Sequence, residues 1–454
     1  MGQMPLLRRF ATALIAAGVG VLGTGLPARA GTADVDDPVF VQGLQWGLEE
    51  INAPEAWGAG TGEGVTIAVV DSGVDLGHED LRDKIVAEVS CVGAKGDPAQ
   101  CRGSAQDDHG HGTHVAGIAL ASTDNGRGVA GVAPDADLMA VRVLTNQCDA
   151  DGASCEASGT SADVSAGIRW AADHGADVIN LSLGGGALQS TLGCSFCDAI
   201  EYAWDQGSIP VVAAGNDSVL PAGFSDEPAV IVSATTREDT RASYSSASSG
   251  FLRSARWPVA APGGEAETDP SDCATGGTPK GVLSTYWVAG LDDQYACLAG
   301  TSMAAPHVSG ALAVLLSTGI TAQQAVDRLL ASADDLGAPG RDDVYGVGRI
   351  DLAAAAGPGA PTRTTSTTAT GSTGGSPTPS TAPPTTAITT PGATTTLPVV
   401  IPPGLTEAAP FTNATGAAEE LPTWLVATAV LALLAAAGST AAVAWHLAER
   451  EARG

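Results

Sequence analysis

Basic residues are scarce in this 454-residue chain: 21 Lys and Arg stand against 50 Asp and Glu, a formal net charge of -29. A surface of that sign repels polyanions, which excludes nucleic acid as a partner and leaves solubility as the plain use of the charge. Apolar residues are not scarce. At 44% of the chain they suffice for one large domain, or two ordinary ones, with a well-buried core.

Local shortages divide the chain. Residues 357–420, with "TRTTSTTATGSTGGSPTPSTAPPTTAITTPGATTT" among them, hold almost nothing that could enter a core and read as a Thr/Pro/Ser-rich linker. Such a segment spans about 45 Å as a coil and about 200 Å in polyproline form. Residues 421–446 contain the run from Trp424 to Trp445, which lacks any charge. As a helix it rises about 33 Å, enough for a single membrane span with a tryptophan at each interface. Arg450 and Arg453 in the tail 447–454 favour a cytoplasmic C-terminus. At the other end, residues 1–30 combine Arg8 and Arg9, an apolar run from Ala11 to Leu26 and an Ala28-Arg29-Ala30 cleavage signature. They read as a secretory signal peptide, the run being short for an uncleaved anchor. What remains, residues 31–356, is expected to be one domain on the extracytoplasmic side of the plasma membrane.

Cysteine is sparse as well, eight in all, and every one lies in that secreted portion. An even count in an oxidising compartment favours disulfides. Pairing neighbours in sequence is the simplest of the 105 connectivities: Cys91 with Cys101, Cys148 with Cys155, Cys194 with Cys197, Cys273 with Cys297. The "CSFC" stretch at 194–197 also has the form of a redox dithiol, without thioredoxin-like surroundings.

Within the domain, the Val- and Ile-rich runs "VTIAVVD", "DLMAVRVL", "DVINLSL", "IPVVAAG" and "AVIVSA" read as strands buried on both faces. Helical patterns such as "HVAGIALAS", "SADVSAGIRWAADHG" and "DAIEYAWDQG" alternate with them. The fold class is therefore α/β, an open doubly wound parallel sheet with helices on both faces, and function is expected at the carboxyl ends of the strands.

Four stretches carry candidate chemistry. Asp71 closes "TIAVVD"; alone, a carboxylate there ligates a metal, binds a ribose or caps a turn. "DDHGHGTHVAG" places His109, His111 and His114 at the start of a helix, where a neutral imidazole base is favoured; a zinc cluster is the rival, lacking the glutamate of H-E-x-x-H. Ser302 in "GTSMAAP" opens an apolar helix. There it is either an N-cap or a group whose unpaired backbone N–H faces developing negative charge. Asn216 ends the strand of "VVAAGN", as a turn residue or as an amide donor.

Taken together, "IAVVDSGVD", "HGTHVAG", "AAGN" and "GTSMAAPHVSG", in that chain order, resemble the subtilisin-like serine proteases. The resemblance runs from about Trp46 to Ala356. It implies peptide-bond hydrolysis of a polypeptide substrate through an acyl-enzyme, with no cofactor and no metal required for the chemistry. Carried over, Ser302 is the nucleophile, His111 the general base and then acid, Asp71 the group that orients the imidazole, and Asn216 an oxyanion donor. Ser182, Leu183 and Gly184 of "LSLGGG" lie along extended substrate. His114 and His307 are read as packing residues. Asp80 matches a structural calcium ligand of many relatives, with "STDNGRG" as companion loop.

Two departures stand out. Too few residues separate Ala30 from Asp71 for the folding prodomain common in this family, and the cysteine-bearing insertions are placed to narrow the cleft. The order of signal peptide, protease domain, stalk and membrane span also resembles the mycosins, membrane-anchored proteases of type VII secretion, which implies secretion machinery as a partner. A noncatalytic scaffold for such a complex, or for binding cell-wall components, is the alternative function.

Overall fold

A computed structural model describes residues 35–148, 155–183, 195–217, 224, 226–247, 249–250, 253–265 and 279–360. Its strands in chain order are β1 (Thr66–Asp71), β2 (Ile85–Ser90), β3 (Asp137–Arg142), β4 (Thr145–Cys148), β5 (Cys155–Ser158), β6 (Val178–Leu181) and β7 (Ile209–Ala213). There follow β8 (Val230–Thr235), β9 (Ser249–Gly250), β10 (Arg253–Ser254), β11 (Trp257–Pro262), β12 (Val282–Val288) and β13 (Leu291–Leu298). Seven of them form one sheet in the order β11-β8-β7-β6-β1-β3-β2, and every neighbouring pair in it is parallel. From β6 onward the chain adds strands outward on one side of β1, whereas β2 and β3 lie on the other. The order thus reverses at β1, and open α/β sheets bind ligands at the carboxyl edge of such a switch point.

Side chains alternate along the strands between two cores, as a period of two requires. Ile67, Val69, Leu138 and Ala140 face one; Ala68, Val70, Met139 and Val141 face the other. Helices His111–Leu120 and Thr301–Ser317 cover the first core, helices Ser161–Asp173 and Cys197–Asp205 the second. The expected layers are therefore present. Helix Thr301–Ser317 is buried at every residue from Thr301 to Leu315. It lies between the sheet, helix His111–Leu120 and helix Ala322–Ala331, which is why its sequence has no polar face.

Cys91–Cys101 and Cys148–Cys155 are disulfides, as neighbour pairing expects. Cys197 and Cys297 are disulfide-bonded too, while Cys194 and Cys273 lie outside the described residues. The signal segment, residues 361–420 of the linker and the run Trp424–Trp445 also lie outside them; among the described residues no helix is long and apolar enough to cross a membrane.

His114 and His307 are fully buried. His114 Nε2 lies 3.1 Å from the Val282 carbonyl and 3.0 Å from that of Ala296, and His307 Nδ1 lies 2.8 Å from the Met303 carbonyl. A Cβ on Gly47 would meet His307 Nε2 at 2.5 Å, so the glycine makes room for the ring. Burial pushes the two pKa values down to about 3 and about 4. The unfolded chain protonates both near 6.5, so their contribution to stability is complete above that pH and is lost as pH falls toward 4. In urea titrations between pH 6 and pH 4, His307→Gln is expected to lose less stability per pH unit than the parent, by about 1 kcal/mol. Equal slopes would show that His307 is not buried neutral.

Candidate active site

Asp71 ends β1, an interior strand of the sheet, with its carboxylate buried. Its Oδ1 accepts the Ser72 N–H at 2.7 Å and faces His111 Nδ1 at 2.7 Å. His111 is the first residue of its helix, reached through a turn in which Gly110 has φ +102°; a Cβ there would strike the Tyr286 ring at 2.6 Å. Gly112 permits the close approach that follows, since a Cβ on it would lie 2.1 Å from the Gly73 carbonyl and 3.0 Å from Asp71 Cβ. The buried Asp107 organises this turn. Its Oδ1 accepts from Ser72 Oγ and from the N–H groups of His109 and Gly110, and its Oδ2 from the Thr113 N–H and Oγ1, all within 2.5–3.1 Å. Ser72 Oγ in turn accepts the Gly112 N–H at 3.0 Å.

Burial alone would depress the His111 imidazolium, but the Asp71 charge and hydrogen bond, with Asp107 behind them, raise its pKa above the ordinary histidine value. His109 is pushed down instead, by burial and by the neighbouring His111. The three histidines do not converge: the His109 and His111 ring centres are 6.4 Å apart, and His114 points to the Val282 and Ala296 carbonyls. Turned to those carbonyls, His114 does not complete a three-histidine zinc site with the other two.

Ser302 is the second residue of helix Thr301–Ser317, whose N-cap is Gly300, so the N-cap reading of the serine is corrected. Its Oγ donates to the Ser182 carbonyl at 3.2 Å, and as one of the first N–H groups of the helix its own amide has no partner within it. Asn216 follows β7. Its Oδ1 accepts both the Thr301 N–H, at 3.0 Å, and Thr301 Oγ1, at 2.9 Å, which commits the oxygen and leaves Nδ2 as the outward donor. The Gly215 N–H donates to Thr301 Oγ1 at 3.1 Å and fixes the same arrangement from the strand side. A Cβ built on Gly300 would sit 3.3 Å from Asn216 Nδ2 and 3.6 Å from the Ser302 nitrogen. Two N–H donors therefore border one small space that any side chain at position 300 would fill. Donors so placed, at the start of a helix whose dipole favours negative charge, are the kind that a developing oxyanion needs.

The structure thus joins Asp71 to His111, Ser302 to Ser182, and Asn216 to the residue beside Ser302. Ser182 and Leu183 are buried after β6; Gly184 lies outside the described residues. The β4–β5 ribbon clipped by Cys148–Cys155 borders the histidine turn, with Asn146 donating to the Asp108 side chain at 3.1 Å and to its carbonyl at 2.9 Å. Asp107 and Thr301 were not singled out by the motifs. The only signal for either was position, Asp107 four residues before His111 and Thr301 next to Ser302.

The family model described as Subtilase family matches residues 62–348, which spans all these groups. The chain belongs to the subtilase family. Subtilases are serine endopeptidases, and this one is an enzyme of that kind; members of the family typically need no cofactor for catalysis. It is 38% identical to thermitase of Thermoactinomyces vulgaris over 70% of this chain and 98% of the relative. It is 36% identical to subtilisin Savinase of Lederbergia lenta over 69% and 99%. Among solved structures, a protease of Pseudoalteromonas arctica PAMC 21717 superimposes with a TM-score of 0.56 at 30% identity, covering 71% of this subtilase and 99% of that chain.

Proposed function

We propose that this subtilase is an extracytoplasmic serine endopeptidase, tethered to the plasma membrane by the run Trp424–Trp445 and lifted from it by the linker 357–420. The buried 2.7 Å contact between His111 Nδ1 and Asp71 Oδ1 carries the catalytic part of this reading, because it leaves Nε2 as the nitrogen that can take a proton. An extended polypeptide pairs along Ser182, Leu183 and Gly184 and brings its carbonyl to Ser302. Ser302 Oγ attacks while its proton passes to His111 Nε2, and the imidazolium is stabilised by Asp71. The carbonyl oxygen becomes an oxyanion in the space beside Gly300, held by Asn216 Nδ2 and the Ser302 N–H. His111 then returns the proton to the leaving amine, and the acyl-enzyme is hydrolysed by water through the same steps. On a stalk at the outer face, such a domain acts on polypeptides that leave through secretion machinery in the same membrane.

Treating the full-length protein with a fluorophosphonate should give one adduct, on Ser302, in the membrane fraction. Folded protein without that adduct overturns the catalytic reading, and labelled protein recovered only in the soluble fraction overturns the anchor.

The residues around Asp80 fit a structural calcium ion. Asp80 accepts from the Asn125 side-chain amide at 3.0 Å, the Val129 N–H at 3.1 Å and Tyr295 Oη at 2.9 Å. The buried Asp37 carboxylate accepts the backbone N–H groups of Asp124 and Asn125, and burial, with the Asp80 charge adding to it, pushes its pKa up to about 6. Two crowded carboxylates are hard oxygen donors of the kind calcium takes, while Asn125 presents its amide N–H to Asp80 and its Oδ1 to the Arg127 N–H. Chelation is expected to lower the melting temperature by several degrees while leaving kcat unchanged well below it; an unmoved transition would exclude the ion.

A further inference from the structure

Helix Thr301–Ser317 contains Pro306. Proline has no N–H, so the carbonyl four residues earlier, that of Ser302, receives no helical hydrogen bond. Ser182 supplies the missing donor from outside the helix: its Oγ donates to the Ser302 carbonyl at 2.7 Å. The same residue's backbone carbonyl accepts Ser302 Oγ at 3.2 Å. Ser302 is thus held at both ends by one neighbour, a closed ring that restricts its ψ and χ1 together.

Behind Ser182 stands a line of buried polar groups outside the triad and the oxyanion donors. Asn180 Nδ2 donates to Ser182 Oγ at 2.9 Å. Asn180 Oδ1 accepts from Ser309 Oγ at 2.8 Å, shorter than the 3.2 Å from that hydroxyl to the Ala305 carbonyl. Asn180, Ser182 and Ser309 are at most 3% exposed. The direction of donation follows from the chemistry. An amide nitrogen only donates, so the Ser182 hydroxyl accepts from Asn180 and its own proton goes to the Ser302 carbonyl.

We propose that Asn180, Ser182 and Ser309 form a positioning relay that replaces the helical bond removed by Pro306 and aims the Ser302 hydroxyl and amide for reaction. The relay touches no substrate atom through its side chains; it acts through Ser302. It rests on the assignment of Ser302 as nucleophile, which fluorophosphonate labelling of the unaltered protein tests separately.

The experiment uses the full-length protein, a small ester or peptide substrate, and a melting curve for each variant. Ser182→Ala keeps the backbone carbonyl but removes the donor, and is expected to lower kcat by about 10- to 100-fold with KM within about twofold. Ser309→Ala, at the far end of the relay and outside the cleft, should lower kcat by a few-fold, again without a KM change. Pro306→Ala restores an N–H opposite the Ser302 carbonyl. The double variant Ser182→Ala/Pro306→Ala should therefore recover most of the kcat lost by Ser182→Ala alone, which a merely structural role of Ser182 does not produce. Folded Ser182→Ala with parental kcat, or a double variant with no recovery, overturns the relay while leaving the protease assignment intact. If Ser182→Ala does not fold, parental kcat in folded Ser309→Ala overturns it. Unaltered protein that fails to label overturns both.

Discussion

Ser302→Ala is expected to lower kcat by about 10^6-fold, the scale on which removing the nucleophile acts in subtilisin, with KM close to its parental value. The reason is specific to the hydroxyl. Asn216 Nδ2 and the Ser302 N–H survive the substitution, so substrate binding and oxyanion stabilisation persist, but no atom remains to form the acyl bond. The lost Oγ contact with the Ser182 carbonyl is long, at 3.2 Å, and costs about 1 kcal/mol or less of stability. Thermal unfolding of the variant should therefore match the parent. Turnover above about one-thousandth of the parental rate, in protein that melts normally and is free of contaminating protease, would remove Ser302 from its role.

Asp71→Asn should cost about 10^4-fold in kcat, as loss of the corresponding carboxylate does in serine-protease triads, and it adds a second readout. In the parent, the raised pKa of His111 places the acid limb of kcat/KM above the ordinary histidine value of 6.5. The base must be neutral, so activity rises with pH through that limb. Without the Asp71 charge, burial is left opposing the imidazolium, and the limb should move to lower pH as the rate falls. A rate loss with an unmoved limb would mean that Asp71 acts on something other than His111.

The centre of the sheet could be read from the sequence because its strands are buried on both faces and their composition says so. The edges could not. β2, "IVAEVS", has Val86 56% exposed, so its apolar residues do not form the continuous run of a central strand. β11, "WPVAAP", carries Pro258 and Pro262, which argue against a strand except at an edge, where it lies. The β12–β13 hairpin was missed because Ser284 and Thr285 look like surface residues. In place, they donate to the carbonyls of His114 and Thr113 on the histidine helix.

The site divides in the same way. Asp71, His111, Asn216 and Ser302 stand in motifs whose residue types are needed by the chemistry itself. Asp107, Thr301, Asn180 and Ser309 are common polar residues, and nothing local distinguishes them from turn or helix positions. Their importance comes from which carboxylate, carbonyl or amide the fold sets opposite them, and a single chain does not encode that as a spacing.

The helix that bears Ser302 offers water no face along its first fifteen residues, Thr301 to Leu315. The nucleophile therefore cannot reach its place ahead of the layers that wrap it. A chain only partly folded, or one loosened by heat, holds the right residues but no working blade. Half-formed copies are in this way kept from digesting their intact neighbours.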